Sequence, residues 1–370
     1  MTNNELFFFT GKCLSIDEHP ELAEGIIKQC ESDSIDWQKF VELCNNHLIL
    51  PLVYVKFQTH GILEHLPEEL VQHLKQIFDL NVIRNNQILQ QIREITDTLN
   101  KHNIEPLFLK GSANLLDGLY SNIGERILSD VDFLVPEKDY LLSAKLLENA
   151  GYSLLKPFFG DAGEKTHYPR LYHPDFVSII EIHRIPVKKN YEAWFNTNTI
   201  ETEKKTIPSL PGCHVSSDKH KIIHNFIHSQ LSDEGYLYGI VSFKDLYDLY
   251  LLSKRADLLH SLEEIKSKKK AIAYFAFAKM ALGLNDSFFS GSNLNYWILK
   301  KKHSLNLSSR IFYSIFRHTI FISQRIFTGY IGQFFEAFYS REMRKSIFKR
   351  LSNRHWYKEH INLYKRFLSN

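Results

Sequence analysis

An α+β fold, a small mixed β-sheet core flanked by N-terminal and C-terminal helical regions, is what the residue patterns predict. Three observations carry this: apolar residues recur at helical spacing up to His102, short apolar runs alternate with helical patterns from Pro106 to Ile182, and helical spacing returns from Asp218 onward. The same changes of texture divide the chain into a helical region 1–102, a core 103–217, a helical region 218–299 packing on the core, and a basic, aromatic-rich helical region 300–370.

In the first region Trp37, Phe40, Val41 and Cys44 share one stripe, and Val71, Leu74, Ile77 and Phe78 share another, with Pro51 and Pro67 as punctuation. Ile88, Ile92, Ile95 and Leu99 predict a long amphipathic helix over 82–99, ended by Asn103 and Pro106. The core opens with a strand at Leu107-Phe108-Leu109 that runs into Lys110-Gly111-Ser112 and a helical pattern as far as Tyr120. A strand at Val131–Val135, a helix from Pro136 to Ala150 stopped by Gly151, and strands at Tyr152–Leu155 and Phe176–Ile182 complete it. Gly235 and Gly239 then mark a break before a helix at Phe243–Leu252.

With 370 residues, 44% hydrophobic and 24% charged, the chain can bury a sizeable core, which excludes disorder, a collagen-like fibre and a disulfide scaffold. Cys13, Cys30, Cys44 and Cys213 lack the close pairs of a zinc site and are expected to be reduced thiols. No basic stretch precedes Leu6-Phe7-Phe8-Phe9, and no apolar run is long enough for a spanning helix, so a cytoplasmic, soluble chain is the expectation. The net charge of +3 is unevenly placed. Residues 300–370 carry 15 Lys and Arg against three acids, leaving 30 basic and 39 acidic side chains in the first 299 residues. The basic end either meets an anionic partner or presents a solvated Lys/Arg face.

Asp130 and Asp132 stand two apart at the start of a strand, so both point to one face. Two neighbouring carboxylates repel, and a divalent cation is the usual device that keeps both ionised, although solvated strand-end acids give the same pattern. Glu181 lies in the apolar run Val177-Ser178-Ile179-Ile180-Glu181-Ile182, where an acid is either paired in the core or recruited as a third ligand. Three such carboxylates suit phosphoryl or nucleotidyl transfer. At Lys110-Gly111-Ser112 a glycine lets backbone approach a phosphate and Ser112 offers a hydroxyl; the plainer alternative is a turn that uses Gly111 for its dihedral freedom. His183 shares the Glu181 face, as a substrate or metal-water contact. His224 and His228 sit at i and i+4 without a metalloprotease glutamate between them. In the tail, aromatic stripes from Ile311 to Phe338 with Arg317 and Arg325 read as helical core or as a stacking platform.

Taken together, Leu109-Lys110-Gly111, Gly124-Glu125-Arg126, Ser129-Asp130-Val131-Asp132-Phe133-Leu134-Val135 and Glu181-Ile182-His183 resemble the bacterial nucleotidyltransferase-like proteins of the DNA polymerase β superfamily. The resemblance is strongest to the group of uncharacterised nucleotidyltransferases, over about residues 75–255. It implies that Gly111 and Ser112 touch nucleotide phosphates, that Asp130 and Asp132 bind metal, and that Glu181 is the third ligand and the base toward an acceptor hydroxyl. Arg126 is implied as a phosphate contact or as a salt-bridge partner of Asp130 or Glu125, and Lys110 as a triphosphate contact or a strand cap. His224 and the Phe243-Lys244-Asp245-Leu246 segment, with Asp245, match positions that shape a base or acceptor pocket or simply pack. The glycine-to-aspartate stretch is longer than in polymerases, and Glu replaces the more usual Asp at the third position. The implied activity is transfer of a nucleoside monophosphate from a nucleoside triphosphate to an acceptor, a small molecule, protein or RNA, with Mg²⁺ or Mn²⁺. The alternative is a catalytically inactive relative that binds a nucleotide, a partner or a membrane.

Overall fold

The computed structural model describes residues 1–32, 34–157, 162–163, 165–284, 293–324, 331–354, 357–358 and 361–362. It divides into two compact units, Met1–His303 and Ser304–Asn370. The first unit begins with four helices, α1 Asn3–Leu14, α2 Ala23–Cys30, α3 Trp37–Asn46 and α4 Leu50–Thr59. A capping box at Thr2 and Glu5 starts α1, and the Asp36 side chain caps α3. All four cysteines are free and buried.

The two helical stretches expected on either side of residue 80 are one helix, α5, Glu68–Asn100, 33 residues long. No glycine or proline interrupts it, so nothing in the backbone ends it before the turn at Asn103, which has φ +58°. Its apolar stripe, Ile88, Ile92, Ile95 and Leu99, is fully buried against the sheet. Fully burying one such side chain is worth about 1.5–3 kcal/mol. The same helix also buries polar side chains, before this stripe and within it. Asn81 donates to the carbonyls of Gly124 and Arg126, Asn85 to those of Ile123 and Arg126, and Gln91 exchanges bonds with the Ser178 backbone. These amides satisfy loop carbonyls that no strand reaches. Gly124 lies so close to α5 that a Cβ there would stand 2.5 Å from Phe78 and 2.6 Å from Val82.

The seven-stranded mixed sheet has the order β3-β4-β5-β2-β1-β7-β6. Its strands are β1 Leu107–Phe108, β2 Asp130–Leu134, β3 Ser153–Leu154, β4 Leu171–Tyr172, β5 Ile179–His183, β6 Lys205–Thr206 and β7 His214–Val215. The expected strand at Phe176–Ile182 starts three residues later and runs through His183; β4, β6 and β7, each two residues long, were not anticipated, since two residues show no periodicity. Between strands lie α6 Lys110–Leu116, directly after β1, and α7 Tyr140–Asn149.

Parallel pairing of β2 with β5 sets Val131 against Ile180, Asp132 against Glu181 and Phe133 against Ile182. Alternation then sorts the strands: Val131, Phe133, Ile180 and Ile182 enter the core with Phe108, α5 and α7, while Asp132, Glu181 and His183 face the other way. A slip of one residue would send the acids into that core.

On the acid-bearing side stand α10 Asp218–Phe226, capped by the Ser217 hydroxyl, and α12 Phe243–Ser253. Short helices α8 Lys189–Glu192 and α9 Thr197–Glu201 precede α10, α11 Gly235–Tyr238 lies between it and α12, and α13 Leu258–Glu263 and α14 Lys268–Ala281 follow. A six-residue π-helix, Ile227–Ser232, continues α10. The second unit contains the helices Arg310–Gln324, Gly332–Tyr339 and Arg341–Leu351. Among its described residues Ile311, Ile315, Phe334, Phe335, Phe338 and Phe348 are exposed. Arg325 and residues 363–370 lie outside the described residues. Among the described residues no helix is long and apolar enough to cross a membrane.

Candidate active site

Where β1 gives way to α6 the chain turns through Lys110, whose φ of +51° is a left-handed conformation uncommon for a residue with a side chain. The dihedral freedom that could have explained Gly111 is therefore required one residue earlier. Gly111 is needed for a different reason: a Cβ there would stand 2.4 Å from Cδ2 of the buried Leu128. Ser112 is 1% exposed, accepts the Asp132 N–H at 3.3 Å and donates to the Asp130 carbonyl at 3.5 Å. Its hydroxyl ties α6 to β2.

The turn delivers the Lys110 ammonium to Asp132, Nζ to Oδ1 at 2.7 Å. The His183 Nε2 reaches the same oxygen at 2.8 Å and lies 3.6 Å from Oε2 of Glu181. Glu181 accepts from Nε of Arg170 at 2.5 Å, and the Arg170 guanidinium stands 3.9 Å from Asp130, which accepts a bond from the Ser129 hydroxyl at 2.7 Å. Asp132 and Glu181 are thus buried acids among three basic groups. Burial alone would raise their pKa values, but Lys110 and His183 hold Asp132 far below the ordinary carboxylate range. Glu181 is lowered to about 2: burial and the Asp132 charge oppose the shift, while hydrogen bonds from His183 and Arg170 and the nearby His167 drive it. For His183, burial works against protonation, yet its bonds to Asp132 and Glu181 prevail and raise its pKa. Both carboxylates are ionised at neutral pH, ready to accept a cation.

These groups open into a cavity of ≈ 290 Å³. Of the residues singled out from sequence, Lys110, Gly111, Arg126, Asp130, Asp132, Glu181, His224 and Asp245 all line it. His183 lines an adjoining cavity of ≈ 190 Å³ that shares Lys110, Arg170, Glu181 and His224. Ser112 lines neither. The ligand atoms of Asp132, Glu181 and His183 lie within 4.8 Å of one another, close enough to share one metal ion; Asp130 is not part of that group.

Arg126 pairs with neither Asp130 nor Glu125. Its Nε and Nη2 donate to the two carboxylate oxygens of Asp248 on α12 at 3.0 and 2.8 Å, and Nη1 donates to the Ile127 carbonyl. Glu125 instead accepts from Ser121 and the Asn122 N–H. Both members of the Arg126–Asp248 pair are buried, and the Tyr120 hydroxyl donates to Asp248 at 2.6 Å. The fork fixes the loop before β2 against α12. His224 on α10 is held neutral, first by burial and then by the Lys110 charge; its Nε2 has no partner among the described residues. Its ring is 6.3 Å from that of His228, which stands 3.3 Å from Asp233. Asp245 opens α12, beside Lys244 at 3.9 Å.

Arg170, Asp248 and Lys221 escaped the sequence reading. Lys221 is buried, bonds to Asp117 and lines the cavity one helical turn before His224; Asp248 follows Asp245 by three residues. Helical spacing from those two residues is a signal that could have found both. Arg170 precedes the two-residue β4 in a stretch without pattern, and nothing local marks it.

No curated protein matches the chain. The profile of a family described as uncharacterised nucleotidyltransferase matches residues 33–290, which takes in all of the sheet and both helices that face the acids. With a match across most of its length, and with paired buried carboxylates at the centre of the matched segment, the chain belongs to this uncharacterised nucleotidyltransferase family.

Proposed function

We propose that the protein transfers a nucleoside monophosphate from a nucleoside triphosphate to an acceptor hydroxyl, with release of pyrophosphate. The observation that carries this reading is the in-register pairing of Asp132 with Glu181 on one wall of a cavity that also contains Asp130 and Lys110. Asp130, Asp132 and Glu181 would hold divalent metal, Mg²⁺ or Mn²⁺; carboxylates are the donors such ions take, and those of Asp132 and Glu181 are buried and ionised. When bound, the metal supplies charge neutralisation at the triphosphate and acidifies the acceptor hydroxyl.

The chain's own residues do the rest. Lys110, on its left-handed turn, carries a positive charge to the phosphates, and Gly111 keeps the wall beside it free of side chain. Arg126, fixed by Asp248, adds a rigid positive charge, and Glu181 accepts the hydroxyl proton. Asp245 and the neutral imidazole of His224 also line the cavity, where base or acceptor sits. In this reading residues 103–217 perform the chemistry, 218–299 form the acceptor wall, 1–102 brace the core, and the basic 300–370 meets an anionic partner. The acceptor classes are a small molecule, a protein side chain or an RNA end, in the cytoplasm.

One observation favours the non-catalytic alternative: Lys110 and His183 already neutralise Asp132, as they would in a site that no longer takes metal. A radiolabel-transfer screen with α-labelled nucleoside triphosphates and acceptors of each class separates the two readings. Metal-dependent labelling lost on Asp130→Asn and on Asp132→Asn supports the enzyme; nucleotide binding without transfer, unchanged by both substitutions, supports the binding module.

A further inference from the structure

We propose that the ion at this site is a first-row transition-metal dication rather than Mg²⁺, with the His183 imidazole as a direct ligand beside Asp132 and Glu181. The inference rests on the metal-dependent reading above and narrows it. Adjacent ligands of an octahedral ion with bonds near 2.1 Å stand about 3 Å apart. The His183 Nε2 lies 2.8 Å from Oδ1 of Asp132 and 3.6 Å from Oε2 of Glu181, on either side of that spacing. The three atoms need little movement to surround one cation; the Lys110 ammonium, 2.7 Å from the same Asp132 oxygen, is the group that the ion displaces.

The backbone enforces the grouping. Glu181 and His183 are two residues apart on β5 and so share a face, and the parallel register sets Asp132 directly beside Glu181. All three are at most 5% exposed, so water contributes little to competing coordination. Mg²⁺ prefers oxygen ligands and retains several waters, whereas an imidazole in the ligand set favours Fe²⁺, Co²⁺ or Zn²⁺, with Mn²⁺ the weakest binder of the first-row series. A carboxylate pair alone would not make this distinction; the nitrogen does. The second nitrogen of His183, Nδ1, is buried and without a partner among the described residues, and no second hydrogen bond holds the ring in place.

The test uses the full chain, Mn²⁺ alone as the probe, and pulsed electron paramagnetic resonance. The expected result is ¹⁴N modulation from a coordinated imidazole in the parent protein, lost in His183→Gln and retained in His167→Gln and His224→Gln. Mn²⁺ affinity should fall by about tenfold or more in His183→Gln, with a smaller change for Mg²⁺. Mn²⁺ that binds through Asp132 and Glu181 without ¹⁴N modulation overturns the His183 assignment and leaves the carboxylate reading standing. Modulation that survives His183→Gln and disappears in His224→Gln overturns it equally. Mn²⁺ binding indifferent to both Asp132→Asn and Glu181→Gln overturns this inference and the metal-dependent reading together. If His183→Gln does not fold, as judged by circular dichroism, the parent spectrum with His167→Gln, His224→Gln, His228→Gln and His220→Gln, the other imidazoles of the two cavities and of the Glu203–Glu264 group, decides by elimination.

Discussion

Among the described residues of the first unit, two places bring one imidazole and two carboxylates within reach of a single ion: Asp132, Glu181 and His183 on the central strands, and Glu203, His220 and Glu264 around the start of α10. Each also carries a lysine, Lys110 in the first and Lys219 in the second, but they differ in burial and in what fixes their spacing. The strand group is buried and faces a cavity, with its spacing dictated by sheet register. In the helix group the Glu203 and Glu264 side chains are 44% and 35% exposed, and the Lys219 ammonium sits between them, 2.6 Å from one and 2.7 Å from the other. Ligand type therefore does not make a site. Buried carboxylates interact strongly with an added cation because little solvent screens them, whereas exposed ones gain little.

The contrast can be broken most decisively by activity. Asp132→Asn is expected to lower metal-dependent transfer by about a thousandfold, roughly 4 kcal/mol of lost transition-state stabilisation, in a radiolabel assay. Glu203→Gln should leave it at the parental rate, and comparable losses in the two variants would erase the distinction drawn here.

Stability gives the next largest effect. Asp248→Ala strands the Arg126 guanidinium in the core beside the strand group and should cost about 3–5 kcal/mol by urea unfolding. Lys219→Met at the helix group should cost about 0–1 kcal/mol. Equal costs would mean that burial does not separate the two neighbourhoods.

A smaller effect sharpens the account of the turn that brings Lys110 to the strand acids. Gly111→Ala should cost about 1–3 kcal/mol through its clash with Leu128. The double variant Gly111→Ala/Leu128→Ala should lose less than the sum of the two single losses, because the shorter side chain removes the clash. Strict additivity would assign the Gly111 requirement to some other contact.

The smallest effect is in titration. Without added metal, NMR should find His183 titrating above the ordinary value of 6.5 and His220 below it. For His183 burial is outweighed by bonds to Asp132 and Glu181, while for His220 burial prevails over Glu203 and Glu264. The signs follow from linkage. The His183 contribution to stability is fully present below pH 6.5 and is lost as pH rises through its raised folded pKa. The His220 contribution is present above pH 6.5 and is lost as pH falls through its lowered one. Shifts of the same sign would contradict the different surroundings described for the two rings.

Much of the strand group was legible in the sequence because β-alternation is a local rule: Asp130 with Asp132, and Glu181 with His183, had to share faces once each strand was recognised. What was not legible is what depends on packing between distant segments. The register that sets Asp132 against Glu181 joins residues 49 apart, and the Arg126–Asp248 fork joins residues 122 apart. Spacing within the chain could not reveal that Arg126 is engaged by Asp248, or that Lys110, and not Gly111, holds the left-handed backbone. In the tail, Phe334, Phe335 and Phe338 recur as core residues do, yet they are exposed.

Anomalous diffraction from crystals of the full chain grown with Mn²⁺ and a nonhydrolysable nucleoside triphosphate addresses the central claim most directly. The account predicts a peak bonded to Asp132 and Glu181 with the triphosphate lying in the cavity beside Lys110. A peak at Glu203, His220 and Glu264 alone, or a triphosphate bound away from the strand acids, would contradict it.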